Sequence, residues 1–338
     1  MLKVMSDTTP IRSIAVIGSG LAGLTSAILL GQSGHHVSVF EKSRGPGGRM
    51  ASKRVGDGSA DIGAQYFTAR HPQFLKFLGD FAGAGSFAEW QASLGFQGAD
   101  KCWQRFPEEA RYVGVPRMTA ITRGLSEHVT LLAQVRIARL VREGGQWQLF
   151  CTEGKHQGAF DQVIITAPPA QAEDLLLASG LESLAADIKG PVGDILPCWA
   201  VAAHFTENPF TEFDGMRPDS DVLYWVANNT SKPGREDSGH WWVLHATPEW
   251  TQAHINANPD DVCHALLAEF QNITGYRGTS GATVAHRWLY ARSVAQEQPG
   301  YLLDAERGIG LAGDWLAGGR VEGAWESASR LVEAMQAG

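Results

Sequence analysis

Gly18-Ser19-Gly20-Leu21-Ala22-Gly23 lies between a short apolar run, Ile14 to Ile17, and a segment of helical apolar density, Leu21 to Leu30. In that setting each glycine has its own role. Gly18 permits a tight turn, Gly20 lets the backbone approach a diphosphate, and Gly23 allows the helix to pack closely on the strand. The helix N-terminus adds unpaired N–H groups and a partial positive charge, both favourable to phosphate. Glu41 follows a second strand, Val37 to Phe40, near the roughly 20-residue separation expected of a carboxylate that accepts ribose hydroxyls. The pattern is that of a dinucleotide site, and by itself it leaves FAD and NAD both open.

Two further segments favour FAD as the resident cofactor. In Arg44-Gly45-Pro46-Gly47-Gly48-Arg49-Met50 adjacent glycines suit a backbone wrapped against a ligand, and the guanidinium suits a phosphate or a ring carbonyl. Near the C-terminus, Gly313-Asp314 could hold a ribityl hydroxyl. Glu322-Gly323-Ala324 opens a last helix whose N-terminus would stabilise negative charge on a reduced flavin.

These residues need a scaffold, and the chain supplies strand, helix and strand from Ile14 to Glu41. Lys42 to Gly63 reads as a glycine-rich loop, and His71 to Phe87 and Met118 to His128 as helices. Short strands are expected at Thr130 to Val135, Val135 to Glu143, Trp147 to Thr152 and Gln162 to Thr166, before Ala167-Pro168-Pro169. Beyond Ala170 come Trp-rich strands, Cys198 to Phe205, Val222 to Ala227 and Trp241 to Ala246, read as an antiparallel sheet walled by aromatics. The expected fold is α/β: a Rossmann-like FAD-binding domain (1–70, 110–172 and 298–338) with an inserted substrate domain (71–109 and 173–297) built on an antiparallel β-sheet plus helices.

Composition narrows the function classes. A net charge of −8 over 338 residues argues against a nucleic-acid partner. No run approaches the roughly 20 apolar residues of a spanning helix, and Met1 to Ser13 lacks the apolar core of a leader. The expectation is a cytoplasmic protein without a membrane partner. Cys102, Cys151, Cys198 and Cys263 are scattered and show no metal-ligand spacing, so neither a disulfide nor a metal is expected to carry function. Oligomeric state is open at this level.

Taken together, Gly18 to Gly23, Glu41-Lys42-Ser43-Arg44-Gly45, Gly47 to Met50, Asp61-Ile62-Gly63-Ala64-Gln65-Tyr66-Phe67, Phe160 to Pro168 and Gly313-Asp314 resemble the flavin amine oxidase superfamily. Within it they look most like the renalase family, especially its bacterial branch. Asn228, His245 in Leu244-His245-Ala246-Thr247, and His286-Arg287-Trp288 also fall where that family shows similar motifs. The resemblance implies oxidation of the 2-dihydro and 6-dihydro isomers of NAD(P)H to NAD(P)+, with oxygen reduced to hydrogen peroxide. It also implies that Gln65 and Tyr66 lie near the flavin ring and that Val135 meets adenine through its backbone. Against the parent activity, Ile195-Leu196-Pro197-Cys198 holds no lysine where many amine oxidases place one. No cysteine follows Cys263, so noncovalent FAD is expected.

A dihydropyridine gives hydride to flavin N5 as its ring becomes aromatic, so no protein base is required. The protein has to position the ring and exclude other orientations. Tyr66, Trp225, Asn228, His245 and Trp288 are the residues expected to do this. The plainer readings are core packing for His245, Trp225 and Trp288, and a solvated turn for Ser231-Lys232-Pro233-Gly234-Arg235, whose alternative is a gate for substrate phosphates. A different flavin amine oxidase or desaturase, and a noncatalytic flavin-binding protein, are the competing functions.

Overall fold

The computed structural model describes residues 10–56, 58–294 and 299–337. Residues 1–9, on which the leader reading rests, and the expected boundary at 297/298 lie outside the described residues.

A six-stranded sheet organises the first body. Its order is Leu302–Asp304, Ile309–Leu311, Gln162–Ile165, Ser13–Ile17, His36–Glu41 and Thr130–Ala133, parallel throughout except for the antiparallel edge strand Leu302–Asp304. The central strands read as near-continuous apolar runs because both faces are covered. Ile14 and Val16 pack with Ala27 and Leu30 of helix Leu21–Gln32 and with Leu331 and Val332 of helix Val321–Ala337. Ala15 and Ile17 face the other way, onto Leu140, Trp147 and Leu149 of a three-stranded meander, Ile137–Glu143, Gln146–Cys151 and His156–Phe160. Alternation along one strand thus serves two cores.

A seven-stranded sheet forms the second body, in the order Thr283–Ser293, Ile195–Phe205, His240–Ala246, Leu223–Asn228, Gly215–Arg217, Leu94–Gln97 and Trp103–Arg105. One face, through Val201, Phe205, Trp242 and Leu244, packs on Val262, Leu266 and Phe270 of helix Pro259–Thr274. That helix is well punctuated: the Asn258 side chain accepts from Asp260 N, proline opens the first turn, and Gly275 ends it at φ +72°. The opposite face, through Ala200, Ala202, Trp241 and Val243, meets Ala60 and Ile62.

The architecture is α/β and Rossmann-like, with a second sheet carrying helices, as expected. Three local readings need correction. Lys42 to Gly63 is not wholly loop, because Ser52–Val55 and Gly58–Asp61 pair as a hairpin whose polar composition conceals it. The helix expected over His71 to Phe87 is α-helical only at Pro72–Leu78 and widens into a π turn, Gly79–Gly83, then a 3-10 turn, Ala84–Ser86. Glycines at 79, 83 and 85 withdraw the backbone restriction and the side chains a regular helix needs there. Finally, the Trp-rich sheet is not purely antiparallel, since Gly215–Arg217 runs parallel to Leu94–Gln97.

Candidate active site

The glycine loop has the geometry its sequence implies. Gly18 sits at φ +108°, and a Cβ on Gly23 would lie 2.0 Å from the Gly18 carbonyl oxygen, a backbone atom that cannot yield. Gly20 differs: its backbone is extended (φ −73°) and a Cβ there would meet nothing within 4 Å. No side chain caps the helix at Gly20, and its first internal bond is Leu24 N to Gly20 O. The N–H groups of Leu21, Ala22 and Gly23 therefore have no intrahelical acceptor.

Glu41 is buried at the edge of this loop. Its carboxylate accepts from Ser19 N (3.0 Å), Ser19 Oγ (2.7 Å) and Ser43 N (2.7 Å), while its carbonyl receives Val135 N (2.9 Å). Val135 is thereby brought beside Glu41, where an adenosine end would lie. Lys42 reaches Gln171 Oε1 at 2.8 Å, and Arg44 is exposed.

The remaining cofactor segments converge on the same loop. Gly47 N donates to Ser19 O (3.3 Å), and a Cβ on Gly48 would stand 3.5 Å from Gly20 Cα. Ala64 N donates to Arg49 O (2.9 Å), and a Cβ on Gly63 would lie 2.0 Å from that same oxygen. Met50 is buried beneath. Arg49 forms a bidentate pair with Asp314, with Nη1 to Oδ2 at 2.9 Å. A Cβ on Gly323 would lie 2.2 Å from Ala317 O, so the glycine lets helix Val321–Ala337 start against the Asp314–Leu316 turn. Uncapped N–H groups, an open approach at Gly20 and a buried acid fit the diphosphate and ribose of a dinucleotide. The Glu322 carboxylate is engaged elsewhere, since it accepts from Arg70 N (2.8 Å) and His71 N (2.7 Å) and anchors the start of helix Pro72–Leu78. The Glu322 and Gly323 N–H groups precede the first backbone bond of that helix, Ala324 N to Arg320 O at 3.3 Å.

The second sheet presents Trp225, His245 and Trp288 toward the segment Ile62 to Tyr66. Trp225 and His245 are register partners on adjacent strands. His245 Nε2 lies 3.1 Å from Ile62 O, and Trp288 Nε1 donates to the same oxygen at 3.0 Å. A carbonyl only accepts, so His245 carries its proton on Nε2 and leaves Nδ1 as an acceptor. Burial, opposed by the Ile62 carbonyl and assisted by the nearby Lys232 charge, pushes its pKa down to about 4, so the ring is neutral. Tyr66 completes the wall, with ring centroids 5.6 Å from Trp225 and 6.3 Å from Trp90.

Beneath this wall lies an ionic cluster that sequence reasoning did not assemble. Lys232 Nζ is 3.3 Å from Asp61 Oδ2, 3.1 Å from Gln65 Oε1 and 3.4 Å from Asn229 Oδ1, and Arg235 pairs with the same Asp61 oxygen. Burial alone would raise the Asp61 pKa, but the two cations, Ser52 Oγ and Met118 N outweigh it and hold it at about 2. Burial likewise dominates at Lys232 and lowers it to about 8, the Asp61 charge notwithstanding. Ser231 to Arg235 is accordingly neither a solvated turn nor a phosphate gate. Asn228 also needs correction. It is out of phase with Trp225, and its side chain caps the next turn by accepting from Thr230 N (3.1 Å). Its neighbour Asn229, 1% exposed, receives Asp61 N at 3.2 Å and holds the cluster.

Comparison with known proteins fits this geometry. Residues 16–81 match the NAD(P)-binding Rossmann-like domain, and residues 99–336 match the family described as flavin containing amine oxidoreductase. Hydroxyneurosporene desaturase of Rubrivivax gelatinosus is 39% identical over 90 residues, 27% of this chain and 16% of that protein. L-amino-acid oxidase of Crotalus adamanteus is 30% identical over 77 residues, 23% of this chain and 15% of that one. The matched stretches thus span about a sixth of those relatives' length. In overall fold the chain is similar to cyclohexylamine oxidase from Brevibacterium oxydans IH-35A, with TM-score 0.70, 11% identity, and 96% and 99% of the two chains covered.

Proposed function

The chain belongs to the flavin containing amine oxidoreductase family, and from that premise we propose that this FAD-dependent oxidoreductase oxidises the 2-dihydro and 6-dihydro isomers of NAD(P)H. Bound FAD would supply the acceptor for a hydride equivalent, with oxygen as the final electron acceptor. The balance is dihydropyridine plus oxygen plus one proton, giving NAD(P)+ and hydrogen peroxide.

The observation that carries this reading is the state of Asp61. It is the carboxylate beneath the Ile62 to Tyr66 segment, and Lys232 and Arg235 both claim it, which leaves the cluster with an excess positive charge. An ammonium substrate would find no free anion there and a repulsive field. A flat, uncharged dihydropyridine with phosphates attached is better suited. Tyr66, Trp225 and Trp288 would confine the ring, and neutral His245 would accept a carboxamide N–H at Nδ1. None of these groups has to remove a proton, because rearomatisation drives the transfer.

Gly18, Gly20 and Gly23 with Leu21 and Ala22 would hold the FAD diphosphate, and Glu41 with Val135 the adenosine. Lys42 and Arg44 would flank that end from solvent. Gly48, Arg49, Met50, Ala64 and Gln65 would line the flavin, together with Asp314, which pairs with Arg49, and the helix start Glu322, Gly323 and Ala324. Noncovalent FAD belongs to the same proposal and is supported by the lack of a cysteine among residues 264–338. We also propose the domain division read from the sequence and a cytoplasmic setting; among the described residues no helix is long and apolar enough to cross a membrane.

A second reading, a desaturase acting on an apolar substrate, draws on the aromatic wall of Tyr66, Trp90 and Trp225. Oxygen uptake decides between them. Consumption with the dihydronicotinamide isomers and none with primary amines or polyenes is expected; the reverse pattern removes the proposal.

A further inference from the structure

Over the outer edge of the Tyr66–Trp225 wall runs the segment Phe106 to Arg111. The Phe106 ring meets Trp225 edge-on at 5.9 Å between centroids. Arg111 places its guanidinium carbon 5.6 Å from the Tyr66 ring centre and 5.9 Å from that of Phe106, while Arg217 stands 5.3 Å from the Phe106 centre. Two guanidinium groups therefore lie against one phenyl ring at the rim of the substrate wall. Like charges do not gather round a ring without cost, which cation–π attraction, about 0.5–1 kcal/mol at the exposed Arg217 and about 2 kcal/mol at the desolvated Arg111, has to offset.

Unmet hydrogen-bond donors lie in the same cluster. Trp225 Nε1 and Arg111 Nε are both buried and have no acceptor. Buried donors without partners are uncommon in native proteins, and a ligand oxygen is one physical resolution. Arg111 is held in place by Pro107 O (3.2 Å) and Glu109 O (3.0 Å), with its side chain 11% exposed. The Glu109 carboxylate is 3.9 Å from Arg111 but 3.2 Å from Arg70, so its charge is shared. Arg217 is exposed and makes no ion pair among the described residues.

We propose that Arg111 and Arg217, stacked on Phe106 above the Tyr66–Trp225 wall, form an anion subsite that takes a phosphate of the substrate. The ligand class is a nucleoside diphosphate, the part of a dinucleotide that trails outside the ring pocket. Trp225 Nε1 and Arg111 Nε donate to its inner oxygens, and Arg217 closes from the solvent side. This rests on the reading of the enzyme as a dihydronicotinamide oxidase for its physiological meaning, but the subsite itself is measurable without turnover.

The test uses the FAD-loaded enzyme, its Arg217→Ala and Arg217→Lys variants, and ADP as the probe in calorimetry. Wild type should bind ADP, Arg217→Ala about tenfold more weakly, the loss of one charge-assisted contact, and Arg217→Lys at an intermediate strength. In parallel, KM is compared for a dihydronicotinamide dinucleotide and the matching riboside, which has no phosphate. The ratio of riboside to dinucleotide KM should fall about tenfold in Arg217→Ala. ADP binding unchanged by Arg217→Ala overturns the subsite. If ADP binding drops but neither dihydronicotinamide is oxidised, the subsite stands and the proposed substrate falls.

Discussion

Lys232 Nζ lies 3.1 Å from Gln65 Oε1, and with that oxygen occupied the Gln65 amide nitrogen turns to the carbonyls of Asp61 and Gly63. A buried charge thus orients the carboxamide at the base of the segment that carries Tyr66. The same lysine shares Asp61 with Arg235, and the charge count in this cluster sets two stability expectations.

Asp61→Asn leaves Lys232 and Arg235 buried without a counter-charge and should cost about 3–5 kcal/mol at neutral pH. Lys232→Met instead leaves a balanced Asp61–Arg235 pair and should cost about 1–2 kcal/mol, the loss of hydrogen bonds to Gln65 and Asn229. Denaturant unfolding of the two variants measures both. Equal losses would mean that charge balance does not govern the cluster.

Acid should destabilise the fold in two stages. His245 has a folded pKa of about 4, below its usual 6.5, so the unfolded chain binds the extra proton and stability falls as pH drops from 6.5 toward 4. Asp61, held at about 2 against 3.8, contributes stability that is full above 3.8 and is lost as pH falls through 2. Unfolding curves of His245→Gln should lack the first stage and keep the second. For the same reason flavin reduction should show no ionisation of His245 between pH 5.5 and 7.5, about a unit either side of its usual 6.5.

Gly20 and Gly23 should separate cofactor binding from folding. Gly20→Val projects into the open approach and should leave the apoprotein folded with FAD lost. Gly23→Ala drives a Cβ against Gly18 O at 2.0 Å and should destabilise the apoprotein as well. Circular dichroism alongside flavin absorbance reads the difference. A Gly20→Val protein that stays yellow would remove the loop from the cofactor site.

Legibility from the sequence followed the range of the interactions. Gly18 to Gly23, Glu41 and the Gly-Gly-Arg-Met loop can be read because each acts locally, in a turn, a helix start or a strand end. Trp225 and His245 can be picked out by strand alternation, but not the convergence of His245 and Trp288 on Ile62, which needs two strands and a distant segment to meet. The sequence points to Asn228, whereas Asn229 holds the cluster. A register irregularity between Leu223 and Trp225 disturbs the alternation in that strand. Lys232-Pro233-Gly234-Arg235 has the composition of a surface turn, and only Asp61, 171 residues away along the chain from Lys232, makes it interior. Arg111 and Arg217 carry no local signal, since their shared partner is an aromatic ring presented by packing.

Whether a dihydronicotinamide is the electron donor is decided by anaerobic rapid mixing of the FAD-loaded enzyme with the 2-dihydro and 6-dihydro isomers of NADH. Fast bleaching of the visible flavin band by at least one isomer is expected, with NAD+ as the product and no bleaching by primary amines. Bleaching by an amine while both isomers leave the band unchanged would refute the assignment.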